Sequence, residues 1–229
     1  MIDGETLSRF IAAELPLTPA RSVPEVSLHL AVPTSGLHRL GLRHSPYWAY
    51  QWAGGTALAR YILDTPEIVA LRRVLDLGCG GGLVAIAAAK AGALKVSAID
   101  IDFAAVAATR LAAQANEVEI AAACADGLVG EPPRVDLILA GDLFYARRLA
   151  ARATAFLARC RAAGVDVLVG DPGRAPLPVD RLRKLADVAV PDFGDGSEQP
   201  ASVYAFRSDG AGGSVAPAPI TAASGRGPW

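Results

Sequence analysis

The residues best placed to do chemistry in this 229-residue chain are a glycine-rich turn and a series of acids spaced after it. The turn reads Asp76-Leu77-Gly78-Cys79-Gly80-Gly81-Gly82 and joins a short apolar run, Val74–Leu77, to a helical pattern. Glycines at such a turn let a ligand lie against backbone at the carboxyl end of a strand. A dinucleotide turn requires G-x-G-x-x-G, with the pyrophosphate resting on the helix that follows. Counted from Gly78, the third glycine position holds Leu83, and the acid at Asp76 repels a pyrophosphate. That acid suits a cationic ligand without phosphate. S-adenosylmethionine carries an ammonium and a sulfonium, and Asp76 can hold its cationic end directly or through water. A nicotinamide site, and a glycine turn with no ligand, are the competing readings.

Two further acids follow at the ends of successive apolar runs. Asp100 closes Val96–Ile99, where a carboxylate can accept hydrogen bonds from both ribose hydroxyls. Its neighbour Asp102 reads as the cap of the next helix. Asp126 follows Ala123-Cys124-Ala125, in reach of the adenine amino group. Either acid alone is an ordinary cap or turn residue. Three acids after three successive strands, together with the glycine turn, favour an adenosyl ligand.

These residues need a scaffold that brings strand ends together. Apolar runs at Val74–Leu77, Val96–Ile99, Val118–Ala123, Val135–Ala140 and Val165–Val169 read as strands. Helical patterns at 82–91, 102–115 and 146–160 lie among them. This alternation predicts a mostly parallel, Rossmann-like α/β sheet with right-handed crossovers. A short helix over Val179–Lys184 and strands near Val188 and over Ser202–Phe206 complete the core. Ahead of it, Leu7, Phe10, Ile11 and Leu15 share one face of a helix over Gly4–Leu15. An alternating run, Val26–Val32, predicts a strand; then come an aromatic cluster (Tyr47, Trp48, Tyr50, Trp52), a Gly54-Gly55 break and a helix through Tyr61. The expected organisation is an N-terminal extension over 1–63, a cofactor-binding core over 64–207 and a tail over 208–229. Gly, Ala, Pro and Ser dominate that tail, a composition that cannot bury a core and reads as disordered.

Bulk properties narrow the class. The chain is 52% hydrophobic and 20% charged, ordinary for a globular domain of one core. Its 22 basic and 23 acidic residues leave a net charge of −1, without the basic surplus of a nucleic-acid binder. Cys79, Cys124 and Cys160 fit neither a disulfide framework nor a zinc site, and the three histidines lie far from them. No metal is expected. Asp3, Glu5, Arg9 and Glu14 interrupt any secretory signal, and no apolar run approaches the roughly 20 residues that span a bilayer. A cytoplasmic protein without a membrane partner is the expectation, with a monomer the default.

Several motifs taken together carry a resemblance. Pro46-Tyr47-Trp48-Ala49, Trp52-Ala53-Gly54-Gly55, Val74-Leu75-Asp76-Leu77-Gly78, Asp142-Leu143-Phe144-Tyr145 and Gly170-Asp171-Pro172-Gly173-Arg174 are similar to the lysine methyltransferases that act on the electron transfer flavoprotein β subunit. The likeness runs from about Val23 to Phe206. The glycine turn is specific only to the level of seven-strand methyltransferases, whereas Asp-x-x-Tyr joined to Gly-Asp-Pro-Gly-Arg is much narrower. The resemblance implies a seven-stranded class I methyltransferase sheet, S-adenosylmethionine as cofactor, a protein substrate and monomethyl- to trimethyl-lysine products. It also implies that Trp52 packs on the cofactor and that Asp142 is needed for catalysis. Ala53 departs from the proline expected after the tryptophan.

Methyl transfer to an amine is an in-line displacement, so catalysis is mostly positioning and desolvation. Asp142 can orient the amine by accepting its hydrogen bond, and Tyr145 can wall the channel. Their plainer readings are a helix cap for Asp142 and simple packing for Tyr145; Trp48 and Trp52 can be core aromatics. Asp171–Arg174 reads by itself as a turn. Amino methyltransferases of adenine or cytosine carry Asn/Asp-Pro-Pro-Tyr/Phe here; Leu143 and Phe144 replace both prolines, which argues against nucleic acid. Asp192, Asp195 and Glu198 gather in the loop expected between the last two strands, where they can steer a basic partner. Methylation of a ribosomal protein or a small molecule, and a non-catalytic cofactor-binding module, are the alternatives.

Overall fold

The computed structural model describes residues 3–41, 45–191 and 198–207. The expected tail over 208–229 and most of the acidic loop, 192–197, lie outside the described residues. Helix α1 (Gly4–Glu14) is capped by Asp3, whose carboxylate accepts from the Glu5 and Thr6 amides. An antiparallel hairpin follows, β1 (Leu17–Ala20) and β2 (Val23–His29). Next come α2 (Ala53–Asp64), β3 (Arg73–Leu77), α3 (Leu83–Lys90), β4 (Lys95–Asp100), α4 (Phe103–Ala115) and β5 (Ala121–Cys124). The chain continues with β6 (Leu137–Gly141), α5 (Arg147–Ala162), β7 (Asp166–Asp171), β8 (Leu182–Pro191) and β9 (Glu198–Phe206).

Seven strands form one sheet in the order β5-β4-β3-β6-β7-β9-β8. The first five are parallel; β9 runs antiparallel to β7, and β8 pairs β9. Strand order reverses beside β3, since the chain goes one way to β4 and β5 and returns to the other side for β6. Such a switch point opens a crevice at the carboxyl ends of the strands.

Strand residues alternate between the two faces. Val74, Val96, Leu137, Leu139 and Leu168 join the core under α2 and α3, while Leu75, Leu77, Ile138, Ala140, Val167 and Val169 join the core under α5. Asp76 has the parity of Val74, so its side chain points beneath α3. A third cluster packs Leu7, Ile11 and Leu15 with Trp48 and the alanine face of α4.

Three expectations are corrected. Gly54-Gly55 does not break a helix; both lie in the first turn of α2. Glycine is required by proximity at Gly54 and Gly141, for a Cβ on Gly54 would lie 2.3 Å from the Gly170 oxygen and one on Gly141 2.8 Å from the Gly55 Cα. The expected helix over Val179–Lys184 is a single 3-10 turn, Val179–Arg181, after which the chain enters β8. Leu182 and Leu185 sit at a helical spacing, but backbone pairing with β9 decides the segment. The third core strand begins at Ala121 and not at Val118.

Candidate active site

The crevice at the switch point gathers most of the expected residues. Gly78, Gly80 and Gly82 adopt left-handed backbone (φ 77°, 52° and 91°), a conformation that costs glycine little. The Gly78 and Cys79 amides donate to the Ile99 carbonyl at 2.8 and 3.1 Å, tying the turn to β4. Asp100 secures its outer lip, with Oδ2 accepting from the Gly80 amide at 2.9 Å and Oδ1 from the Asp102 amide at 2.9 Å. Asp102 caps α4 through the Ala104 amide. The Thr109 hydroxyl, buried on α4, donates to the Gly80 carbonyl at 3.0 Å. Sequence reading missed Thr109 because its partner lies 29 residues away.

Asp76 is 1% exposed, and its Oδ2 accepts from the Ala85 amide at 3.0 Å. Burial, and then the charge of Asp100, push its carboxyl up to about 7. Burial likewise raises the Asp100 carboxyl. The acids nearest the turn are thus carboxyls whose ionised form a neighbouring cation would favour. They fit a cationic ligand and disfavour a phosphate, as S-adenosylmethionine requires.

At the end of β6, Asp142 is not a helix cap, since α5 is preceded by Ala146 with no side-chain cap. Its backbone is left-handed (φ 55°), a strained conformation that costs about 1–2 kcal/mol outside glycine and is eased for Asp. Oδ2 accepts from the Gly55 amide of α2 at 2.5 Å, and Oδ1 from Nη1 of Arg174 at 2.6 Å. Arg174 also reaches Oδ2 of Asp171, which is wholly buried, at 3.2 Å.

Three aromatic residues cluster on nearby segments, Trp52 three positions before Gly55 and Tyr145 three after Asp142. The Tyr47 ring lies 5.6 Å from Trp52, edge on, and 6.3 Å from Tyr145. The Trp52 indole donates to the Tyr47 carbonyl at 2.8 Å. Tyr145 is raised above its ordinary pKa by burial and then by the charge of Asp100, which puts its hydroxyl in the field of that acid. Nothing in the sequence pairs Tyr47 with Tyr145; the strand order does. Asp126 is set apart from the others. Its Oδ2 meets Arg152 of α5 at 2.5 Å and its Oδ1 takes the Leu128 amide; this arginine holds its carboxyl below the usual range.

A glycine turn at the switch point, an acid at the end of β4 and carboxylates in place of basic groups define a class I, S-adenosylmethionine-dependent methyltransferase. The family model of ribosomal protein L11 methyltransferase (PrmA) matches residues 55–157. Ribosomal protein L11 methylase of Lactobacillus delbrueckii subsp. bulgaricus shares the fold, with a TM-score of 0.50 and 22% identity over 69% of this chain and 81% of its own. Several relatives bear the name electron transfer flavoprotein β-subunit lysine methyltransferase. That of Danio rerio is 40% identical over 82% of this chain and 77% of its own, and that of Xenopus laevis 42% over 80% and 78%. The chain belongs to this family of protein-lysine methyltransferases, and its cofactor is S-adenosylmethionine. No helix among the described residues is long and apolar enough to cross a membrane.

Proposed function

We propose that this chain methylates lysine side chains of the electron transfer flavoprotein β subunit. The observation that carries the reading is the Asp142 carboxylate at the end of β6, held by the Gly55 amide and by Arg174, with the Tyr47, Trp52 and Tyr145 rings clustered on segments next to Gly55 or Asp142 in sequence. The substrate name of the relatives supports the choice of protein.

The bound cofactor supplies an electrophilic methyl on a sulfonium. Gly78 and Gly80 let it approach the backbone; Asp100 takes the ribose hydroxyls, Asp76 faces the ammonium end and Trp52 packs against it. Asp126 serves the adenine amino group, since a carboxylate offers about four acceptor positions and Arg152 and Leu128 fill two. A lysine amine must first give its proton to solvent, which costs about 4 kcal/mol at pH 7.4. A neighbouring sulfonium charge lowers that cost. Asp142 then accepts a hydrogen bond from the neutral amine and aims its lone pair, while Tyr145 walls the channel. With the sulfonium supplying the methyl carbon and taking the electron pair as leaving group, the residues here need only present the amine lone pair in line.

The test is incubation of the purified enzyme with labelled S-adenosylmethionine and the β subunit, read by mass spectrometry. Methyl groups should appear on lysine, and Asp142→Asn should cut turnover about a hundredfold, the cost of a misplaced reacting group, with cofactor affinity little changed. Absence of label overturns the substrate; near-normal turnover in the variant removes Asp142 from the chemistry. Ribosomal protein L11 is the control substrate, because the PrmA match covers the cofactor-binding part of the chain.

A further inference from the structure

We propose that Arg174 is a positioning residue for methyl transfer, holding the Asp142 carboxylate at the angle from which it meets the substrate amine. The inference rests on the role given to Asp142 above. Taken from sequence, Asp171-Pro172-Gly173-Arg174 is a turn, and the structure gives that turn a purpose. Oδ1 of buried Asp171 accepts from the Gly173 and Arg174 amides at 2.8 and 2.7 Å, and Gly173 turns the chain with a φ of 92°. The Arg174 side chain is thereby brought back across the sheet edge. Its Nη1 donates to Oδ1 of Asp142 at 2.6 Å and to Oδ2 of Asp171 at 3.2 Å. Because Gly55 of α2 holds Oδ2 of Asp142, each oxygen is gripped from a different element. About half of the acceptor positions of that carboxylate stay open for a substrate.

Stability alone does not account for this cluster. The side chains of Arg174, Asp142 and Asp171 are 23%, 13% and 0% exposed, and burying charge seldom stabilises more than apolar packing of equal volume. Two carboxylates and one guanidinium, with Asp142 in strained backbone, mark a place where geometry outranks stability. The charge also serves the chemistry. An uncompensated Asp142 would favour a lysine ammonium, which has no lone pair for attack. Arg174 offsets that charge and leaves the carboxylate as an acceptor.

Arg174→Gln keeps a polar side chain but loses the cation and about two atoms of reach, so the bond to Asp142 is lost. Its kcat on the β subunit should fall about a hundredfold, the scale set by a small misplacement at a reacting group. KM for the subunit and Kd for the cofactor should stay near wild type. Arg174→Lys restores a cation with poorer geometry and should recover part of kcat. Arg174→Ala should be partly rescued by guanidinium chloride at non-denaturing concentration, with no such gain for wild type. The proposal is overturned if kcat survives in Arg174→Gln, or if it falls without recovery by lysine or guanidinium. A weakened cofactor Kd at unchanged kcat would also overturn it, making Arg174 a cofactor ligand. Should wild type leave the subunit unmodified, the substrate reading falls, and the variants are compared on the protein that wild type labels in a cell extract. Wild-type enzyme that labels no protein overturns both.

Discussion

The buried carboxyl of Asp76 makes stability depend on pH in a way one substitution can remove. In the cofactor-free protein it lies 1% exposed beneath α3 and rises from 3.8 to about 7, through burial and then through Asp100. A carboxyl raised on folding contributes stability that is fully present below the unfolded value and is lost as pH climbs through the folded one. The loss therefore runs from about pH 4 to about pH 7. At 1.36 kcal/mol per pH unit it reaches roughly 4 kcal/mol, an upper figure for one buried group. Asp76→Asn keeps the acceptor for the Ala85 amide and cannot ionise. We expect it to match wild type near pH 4 and to exceed it by about 2–4 kcal/mol at pH 8. Urea unfolding without cofactor measures the difference, because bound ligand adds its own stabilisation. Asp171, whose carboxyl burial also raises, is common to both proteins and cancels, whereas Asp100 is coupled to Asp76 and its share belongs to the measured difference. The same variant should bind S-adenosylmethionine more weakly, since it loses the charge proposed to face the ammonium. Parallel stability curves for the two proteins across this pH range would refute the reasoning.

Further expectations concern the crevice and its neighbours. Asp100→Ala should weaken S-adenosylhomocysteine binding by about 1–3 kcal/mol, the range for a lost hydrogen bond to a charged group; unchanged affinity by calorimetry in a folded variant removes the ribose role. Gly54→Ala places a methyl 2.3 Å from the Gly170 oxygen and should destabilise by about 1–3 kcal/mol or more. In Gly55→Ala the new methyl meets Asp142 and Val84 at 3.6 and 3.8 Å, so helix propensity should make it neutral or stabilising by up to about 1 kcal/mol. Equal melting temperatures for the two alanine variants would contradict the close approach of α2 to β7.

Much of this protein is legible in its sequence because strand and helix leave local periodicities. Apolar runs over 74–77, 96–99, 135–140 and 165–169 became β3, β4, β6 and β7 within a residue or two at most boundaries. The glycine turn, Asp100 and the Asp102 cap could be placed because each is defined by residues within a few positions of itself. The motif resemblance reached further and pointed to Asp142. Other features had no local signal. Gly55 and Arg174 meet Asp142 across 87 and 32 residues, Tyr47 reaches Tyr145, and Gly54 touches Gly170 backbone to backbone. The first residues of β8, Leu182–Lys184, read as helix until β9 pairs with them. Periodicity reports which face a residue shows its own element, whereas these contacts depend on strand order, on the turn after β7 and on how closely α2 approaches the sheet. The sequence alone determined the class of fold and the chemistry of its turn; the tertiary structure decided which distant backbone amide and guanidinium hold Asp142, because only the assembled sheet edge brings them within hydrogen-bond range.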